Sequence, residues 1–294
     1  MRAIAACLIF FFFLPGLPGA FEDRPELEPY ARLDSKLVKE GSAFLKSPSH
    51  KNVYWTLNDS RNSPAIFAFT RDGHLIKPEA ASESAYKGIL VSSAANADWE
   101  ALAADDKGNL LIGDIGNNRN RRKNLAVYIF PEPDPVRDLV STAALKVQFR
   151  YPDQEAFPPK LMNFDAESLF WAGGRLYLVT KHRSDTMAKL YRFDSLEPNV
   201  VNTLKLVASF DVKAMATDAA VSPDGKRLAL LTYDGAWLFE KPARSDNYFA
   251  GAKKRFFFGA GQCEGITFDG PDTLVVSNEE GGLFELKVSS FTRR

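Results

Sequence analysis

The chain has 294 residues, of which 45% are hydrophobic, and its 37 basic residues balance its 37 acidic residues. A chain without an excess of one charge is not expected to bind nucleic acid or an anionic membrane surface through its overall field. Its length and apolar content are sufficient for a sizeable core in one large domain or two small ones.

The first 20 residues, MRAIAACLIFFFFLPGLPGA, predict a signal peptide. One arginine precedes an apolar run over residues 3–14, and Pro, Gly and a small residue follow it. The run is shorter than the roughly 20 residues of a membrane-spanning helix. We therefore expect a periplasmic or secreted protein with no membrane span.

Cysteine usage supports a fold that is stabilised by packing alone. Cleavage after the signal would remove Cys7 and leave Cys263, so no internal disulfide is expected. Cys7 lies inside the apolar run rather than after it, which argues against a lipid anchor. We expect Cys263 to be a small buried apolar residue rather than a nucleophile.

One sequence pattern recurs five times along the rest of the chain. Each copy opens near an acid, continues through two short apolar runs joined by a turn, and ends in polar residues. The copies are EGSAFLKSPSHKNVYWTLNDS at Glu40, WEALAADDKGNLLIGDIGNN at Glu100, AESLFWAGGRLYLVTKH at Glu167, TDAAVSPDGKRLALLTYDG at Asp218 and CEGITFDGPDTLVVSNEE at Glu264. This spacing is typical of β-propeller blades with insertions.

Alternation and β-branched runs predict four antiparallel strands per copy, which is the composition of a propeller blade. In the second copy they cover 101–104, 110–113, 126–130 and 145–151, and in the third 168–171, 175–180, 189–193 and 204–210. The fifth copy has only three, at 265–268, 273–277 and 283–288, so residues 33–38 are expected to supply the fourth and close the ring.

The predicted fold is therefore an all-β, five-bladed β-propeller over residues 32–294, after an N-terminal extension over residues 21–31. Six blades remain an alternative if residues 77–97 or 152–164 contain a degenerate hairpin. A large β-sandwich would explain the strands, but not the repeated spacing from an acid to a polar end. We expect a monomer.

The repeat brings acids to one rim of the channel, because the first strand of a blade lines the channel and the second returns beside it. Crowded carboxylates raise one another's pKa or require a cation, and Ca²⁺ prefers oxygen ligands. The candidate metal ligands are Glu264, Glu100, Asp114, Asn278, Asp234, Glu167 and Asp59, with Glu40, Asp218 and Glu279 at the same rim. In the alternative interpretation, acids at strand ends cap turns.

Two further features of the rim carry possible chemistry. Glu100 and His182 are candidate general acids or bases, since both are predicted to lie at strand ends that face the opening. The basic segment RNRRKN, residues 119–124, either binds an anionic ligand or forms a solvated hairpin tip.

The phrases NDS at 58–60, DWEALA at 98–103, GDIGNN at 113–118, DAESL at 165–169, YLVTK at 177–181, SPDGKRLALLTYDG at 222–235 and CEGITF at 263–268 together resemble a group of exported bacterial β-propeller proteins of unsettled function. The chain departs from that group at Ala101 and Asn117, where acids are usual. These two differences reduce the negative charge of that loop.

The copies are also loosely similar to the calcium-dependent propeller hydrolases, namely gluconolactonases, paraoxonase-like esterases and esterase-like phytase domains. That resemblance implies a catalytic Ca²⁺ held by Glu264, Glu100, Asp114, Asn278 and Asp234. It is a resemblance of architecture and spacing.

Two functions follow from these observations. The first is Ca²⁺-dependent hydrolysis of a phosphoester or lactone, with Glu100 or His182 moving protons. The second is a non-catalytic periplasmic scaffold whose acidic rim binds a small-molecule or protein ligand.

Overall fold

The computed structural model describes residues 24–82, 85–143 and 145–293, and it shows five small sheets that form a five-bladed β-propeller. The innermost strands of neighbouring blades pack on one another, and the last blade returns to the first. This confirms the predicted fold class, and the five sheets rule out both the sandwich and the sixth blade. The signal peptide predicted for residues 1–20 lies outside the described residues.

The first two blades follow a short N-terminal strand, β1 (Ala31–Arg32). Blade 1 contains β2 (Leu45–Lys46), β3 (Tyr54–Leu57), β4 (Ala65–Phe69), β5 (Leu75–Ile76) and β6 (Ile89–Ser92). Blade 2 contains β7 (Trp99–Ala104), β8 (Asn109–Asp114) and β9 (Ala126–Pro131), then β10 (Val140–Thr142) and β11 (Leu145–Arg150).

The remaining three blades follow in the same order. Blade 3 contains β12 (Asp165–Ala172), β13 (Arg175–Lys181), β14 (Met187–Arg192), β15 (Val201–Thr203) and β16 (Lys205–Asp211). Blade 4 contains β17 (Ala216–Val221), β18 (Arg227–Thr232), β19 (Gly235–Glu240), the 3-10 turn Tyr248–Ala250 and β20 (Lys253–Phe257). Blade 5 contains β21 (Cys263–Phe268), β22 (Thr273–Asn278) and β23 (Gly282–Lys287), followed by the 3-10 turn Val288–Ser290 and β24 (Thr292–Arg293).

The closure of the ring occurs through the N-terminal segment, but through an earlier stretch than the sequence predicted. Strand β1 pairs antiparallel with β23, with Ala31 opposite Leu283. The amide of Leu33 still donates to the carbonyl of Gly281, and the chain then turns away. Residues 33–38 form no strand, because a turn begins there in which the Ser35 hydroxyl accepts from the amide of Leu37.

Three short strands cross between neighbouring blades. The segment between the third and fourth strands of blade 2 contributes β10, which pairs in parallel with β6 of blade 1. In the same way β15 of blade 3 pairs in parallel with β11 of blade 2, and β24 pairs with β20 of blade 4. These strands tie each of these blades to its neighbour by backbone hydrogen bonds in addition to side-chain packing.

The hydrophobic core is divided among the blade interfaces. Large clusters fill the interfaces of blades 1 and 2, 2 and 3, 3 and 4, and 4 and 5. The cluster between blades 5 and 1 is smaller and centres on Phe44, Tyr54, Val275 and Leu283. Polar contacts supplement it, since the Asp269 carboxylate of blade 5 accepts from Lys46, Tyr54 and Arg71 of blade 1.

Four of the innermost hairpins carry a β-bulge at the same end of the channel. The pairing register skips one residue at Glu100, Glu167, Thr217 and Glu264. A bulged residue is left out of the ladder, and here it lies at the channel wall. The residue of blade 4 that is equivalent to the three glutamates is therefore Thr217, whereas Asp218 stays in the ladder opposite Leu231.

Candidate metal centre

Three carboxylates converge at one mouth of the channel. Asp59 follows β3, Asp98 precedes β7, and Glu100 is the bulged residue of β7. One oxygen from each lies within 4.8 Å of the others. Calcium binds carboxylate oxygens at roughly 2.3–2.6 Å, so ligands on opposite sides of one ion lie about 5 Å apart. The three oxygens are thus close enough together to share one calcium ion.

Glu100 is the member of this group with no compensating partner. Its side chain is 5% exposed, and no hydrogen bond or ion pair reaches its carboxylate from the part of the chain that the structure describes. Burial raises its pKa well above the ordinary value, and the nearby charges of Glu167 and Asp59 raise it further. A buried carboxylate in this setting either carries a proton or needs a cation.

The pKa values of the two aspartates are shifted in the same direction. Burial and the charge of Asp59 raise the pKa of Asp98 to about 6, while Arg122 opposes the shift. Burial also raises the pKa of Asp59, although Lys181 and the amide of Ser60 lower it in part. All three acids are therefore less readily ionised in the cation-free protein than they would be in water.

Gly116 permits the close approach of two of these carboxylates. A Cβ atom at this position would lie 2.5 Å from Cγ of Asp98 and 2.7 Å from Oε1 of Glu100. The amides of Ile115 and Gly116 both donate to the carbonyl of Asp98, at 3.1 Å each. The GDIG segment, residues 113–116, therefore ends β8 and continues as a turn that contacts the Asp98 backbone and leaves space for the two acids.

A second acidic group of the channel is neutralised from within the chain. The Lys181 ammonium lies 3.0 Å from Oε1 of Glu167, and it donates to the Tyr233 hydroxyl at 2.9 Å. That hydroxyl donates in turn to Oε1 of Glu264 at 2.7 Å. Burial disfavours the charge of Lys181, but Glu167 and Glu264 hold its pKa well above the ordinary value.

Three predicted ligands are already bonded to other groups of the chain through at least one side-chain oxygen. Asp114 accepts from the amide of Asp98 and from Arg122 through one oxygen. Asp234 is paired with Arg255 through both oxygens. Asn278 donates to the carbonyl of Ala260 and accepts from the amide of Gly282.

A polar residue at or next to the end of each second strand has the same structural role in all five blades. Asn58, Asp114, Thr180, Thr232 and Asn278 occupy equivalent positions in the register, and each forms at least one hydrogen bond with backbone near the blade end. The alternative interpretation of the sequence, in which polar groups at strand ends cap turns, describes this position correctly. Part of the repeated acid-to-polar spacing thus reflects loop closure rather than metal binding.

The other rim acids of the sequence analysis differ in position. Glu40 is exposed. Asp218 is buried and accepts from the amides of Ala219 and Ile266, so it links β17 to β21. Glu279 is half-buried and accepts from Gln262.

His182 does not join the carboxylates at the mouth. Its Nδ1 lies 2.6 Å from Oδ1 of Asp185 in the turn after β13, while its Nε2 is buried without a hydrogen-bond partner among the described residues. Burial lowers its pKa despite Asp185. This histidine is neighboured by Asp185, Lys189 and Asp153 rather than by Glu100.

Cys263 is buried and its thiol donates weakly to the carbonyl of Ala260. Burial raises the pKa of this thiol to about 12, with a smaller effect from the charge of Glu264. A thiol with so high a pKa forms little thiolate near neutral pH, as the sequence analysis expected of a packing residue.

The basic residues of segment 119–124 differ in their exposure to solvent. Arg122 points inward, where it donates to the carbonyl of Gly116 and to Asp114. Arg119, Arg121 and Lys123 are exposed. Of the basic residues in this segment, these three are therefore the ones available to a ligand.

Asp98 and Tyr233 were missed by the sequence analysis. Asp98 stands two residues before Glu100, and alternation along a strand would place both on one side. Tyr233 directly precedes Asp234, and the repeated pattern of acids does not include its hydroxyl. The spacing of two residues from Glu100 would have predicted the position of Asp98. No sequence pattern predicts the position of Tyr233.

Comparisons with known proteins add little to the geometry. No protein-family model matches the chain, and no curated protein matches it. Among solved structures, it is similar to a chain of a mitotic checkpoint complex at 13% identity and a TM-score of 0.40, over 84% of this chain and 63% of that one. The Cps50 (Swd1) β-propeller domain of Myceliophteria thermophila has 10% identity and a TM-score of 0.41, over 85% and 97% of the two chains.

PorZ, a surface component of the type IX secretion system of Porphyromonas gingivalis, has 12% identity and a TM-score of 0.39, over 89% of this chain and 27% of PorZ. This chain thus spans less than two thirds of both PorZ and the checkpoint-complex chain. At these identities and TM-scores the likenesses bear on no function. Within the described residues, no helix is both long and apolar enough to cross a membrane.

Proposed function

We propose that this protein is an exported, non-catalytic binding propeller that holds one divalent cation, with Ca²⁺ as the expected ion, at Asp59, Asp98 and Glu100. The single observation that carries the proposal is the Glu100 carboxylate. It is buried, it has no partner among the described residues, and it lies beside two further carboxylates. The polar residues that cap the blades each form a hydrogen bond with backbone, whereas the Glu100 carboxylate forms none among the described residues.

Charge repulsion explains why a cation belongs at this mouth. Two like charges about 4 Å apart repel by about 4 kcal/mol at an effective dielectric constant near 20. Burial is the main cause of the raised pKa values of Asp98 and Glu100, and the charges of neighbouring carboxylates raise them further. A hard divalent cation would remove the repulsion and supply ligands for all three groups.

Binding is favoured over catalysis because the candidate proton-transfer groups are not assembled. His182 is bonded to Asp185 and lies apart from the carboxylates, and the thiol of Cys263 is buried. Three carboxylates do not fill the six to eight coordination positions of calcium. The remaining positions suit oxygen atoms of a small-molecule or protein ligand at the mouth, with exposed Arg119 and Arg121 nearby in sequence to favour an anionic one.

The test is direct titration of calcium into the chelator-treated mature protein by isothermal calorimetry. We expect one ion per chain for the parent, at least about tenfold weaker binding for Glu100→Gln, and unchanged binding for the control Asp234→Asn, whose carboxylate is held by Arg255. No heat and no bound ion in the parent would contradict the proposal.

Export is a part of this proposal that rests on residues 1–20. We expect the mature protein to begin near residue 21 and to be recovered outside the cytoplasm. Mass spectrometry of the protein purified after expression in a Gram-negative host measures this. An intact N-terminus on protein found in the cytoplasm would contradict export without affecting the cation site.

A second candidate function is Ca²⁺-dependent hydrolysis of a phosphoester or lactone. The observation in its favour is the Tyr233 hydroxyl, which lies between Lys181 and Glu264 and could pass a proton along that chain. Turnover of a phosphoester or lactone that requires calcium and is lost in Tyr233→Phe would support it. Absence of turnover across a broad panel, in protein that binds calcium, would favour the scaffold.

A further inference from the structure

The buried acids of blades 3 and 5 surround an ammonium rather than an open space. Lys181 is 4% exposed, and its Nζ contacts both Glu167 and Tyr233, with Tyr233 joining it to Glu264. One ammonium thus serves two carboxylates. Arg183 also lies 3.8 Å from Oε1 of Glu167, but it is bonded more closely to Asp165 at 2.7 Å. The two glutamates therefore keep an excess of negative charge when both are ionised.

Two oxygen atoms of this group have no partner among the described residues. Glu264 is 6% exposed, and its Oε2 is buried without a hydrogen bond. The hydroxyl of Thr217 is likewise buried and unbonded. Thr217 holds the bulge position of blade 4, so around the ring it stands between the bulge residues Glu167 and Glu264.

These atoms are the ligand types of a hard cation. Glu167 and Glu264 supply carboxylate oxygens, and Thr217 and Tyr233 supply hydroxyl oxygens, all from neighbouring blades. Such oxygen atoms are what calcium prefers, and Lys181 places a positive charge among them.

We infer that Lys181 is a tethered counter-ion that occupies a second, latent divalent-cation site in the channel, formed by Glu167, Thr217, Tyr233 and Glu264. This rests on the proposed function, in which Asp59, Asp98 and Glu100 hold the first ion. Lys181 thereby limits the channel to one divalent ion, because a second ion would have to displace an ammonium that the protein cannot release. Removal of the ammonium exposes the second site.

The experiment counts calcium ions per chain in chelator-treated protein, by native mass spectrometry and by calorimetric stoichiometry. The parent should bind one ion and Lys181→Met should bind two. The control is Lys189→Met, which removes a lysine that pairs with Asp153 rather than with the channel glutamates and should leave the count at one. The added ion in Lys181→Met should be lost again in the double variant with Glu264→Gln.

The outcomes separate the inference from the proposed function. A count of one in both the parent and Lys181→Met would overturn the inference and leave the first site in place. A count of zero in the parent and one in Lys181→Met would support the latent site and contradict the proposed function. Equal counts of zero would contradict both.

Loss of Lys181 leaves the two buried carboxylates with only the longer contact of 3.8 Å from Arg183 to Glu167, so Lys181→Met should melt at a much lower temperature in chelator than in excess calcium. Lys181→Gln, whose amide can still donate to Glu167, provides a milder variant for the same count. Failure of both variants to fold in excess calcium would also overturn the inference, since a second ion should then replace the lost charge.

Discussion

Gly116 controls the first site at the scale of a single residue. A methyl group there would press on the side-chain ends of Asp98 and Glu100, which can move without disturbing the blade. We predict that Gly116→Ala lowers the calcium affinity at least about tenfold, or about 1.4 kcal/mol. Calorimetry measures the affinity, and the melting temperature in chelator checks the fold. Unchanged affinity would mean that the two carboxylates do not share an ion.

Cys263 tests whether the thiol has a role beyond packing. It lies in the apolar cluster between blades 4 and 5, where a serine hydroxyl would be poorly solvated. We predict that Cys263→Ser lowers the free energy of unfolding by about 1–2 kcal/mol and leaves the calcium affinity unchanged. Urea denaturation and calorimetry measure the two quantities. A folded Cys263→Ser protein that no longer binds calcium would show that the thiol belongs to the site.

The residue scale is also where sequence reasoning reached its limit. Glu100 and Glu264 were assigned to the channel from spacing alone, and the structure places both on its wall. Asp218 was aligned with them, but a bulge shifts the equivalent position to Thr217. This bulge is hard to recognise in the sequence because it lies at the start of β17, where too few residues precede it to show a shift in the alternation. The partners that engage Asp114 and Asp234, namely Arg122 and Arg255, come from later segments whose positions the local sequence does not determine.

At the scale of elements, the closing blade depends on the N-terminal segment. Strand β1 supplies the outer strand of blade 5, and the amide of Asp34 donates to the carbonyl of Gly73 in blade 1. We predict that a chain starting at residue 35 melts at a clearly lower temperature than one starting at residue 24, since the edge of β23 would be unpaired. Calorimetric melting checks this, and equal melting temperatures would show that β1 does not stabilise the ring.

The same interface contains a partly buried ionic group with a predictable pH response. Burial alone would raise the pKa of Asp269, but hydrogen bonds from Lys46, Arg71 and Tyr54 lower it to about 2. Because the folded pKa is depressed, the stabilisation is present above the unfolded pKa near 4 and is lost as the pH falls through about 2. Its size above pH 4 is about 2 kcal/mol.

We therefore predict that Asp269→Asn is less stable than the parent at pH 7 and that the difference shrinks towards zero between pH 4 and pH 2. Urea denaturation at a series of pH values measures this. The control is Asp272→Asn, whose exposed carboxylate contributes little. A difference that stays constant down to pH 2 would show that the Asp269 charge does not stabilise the closure.

At the scale of the whole molecule, the fold could be predicted because its information is repeated. Each inner hairpin shows period-two alternation and a turn, and strands such as β8 and β22 begin and end within one residue of the predicted limits. A strand that is hard to recognise in one copy can be identified from its position in the other copies. The candidate site is not repeated, since it draws Asp59 from blade 1 and Asp98 and Glu100 from blade 2, so its composition depends on how two different blades meet.

The central claim is that Asp59, Asp98 and Glu100 bind one calcium ion at the channel mouth. The most direct measurement is an anomalous difference map from a crystal of the protein grown in excess calcium. The account predicts one strong peak among these three side chains, with carboxylate oxygens at roughly 2.3–2.6 Å from it, and no peak beside Lys181. A map without a peak at this mouth, or with a peak only at Glu167 and Glu264, would contradict it.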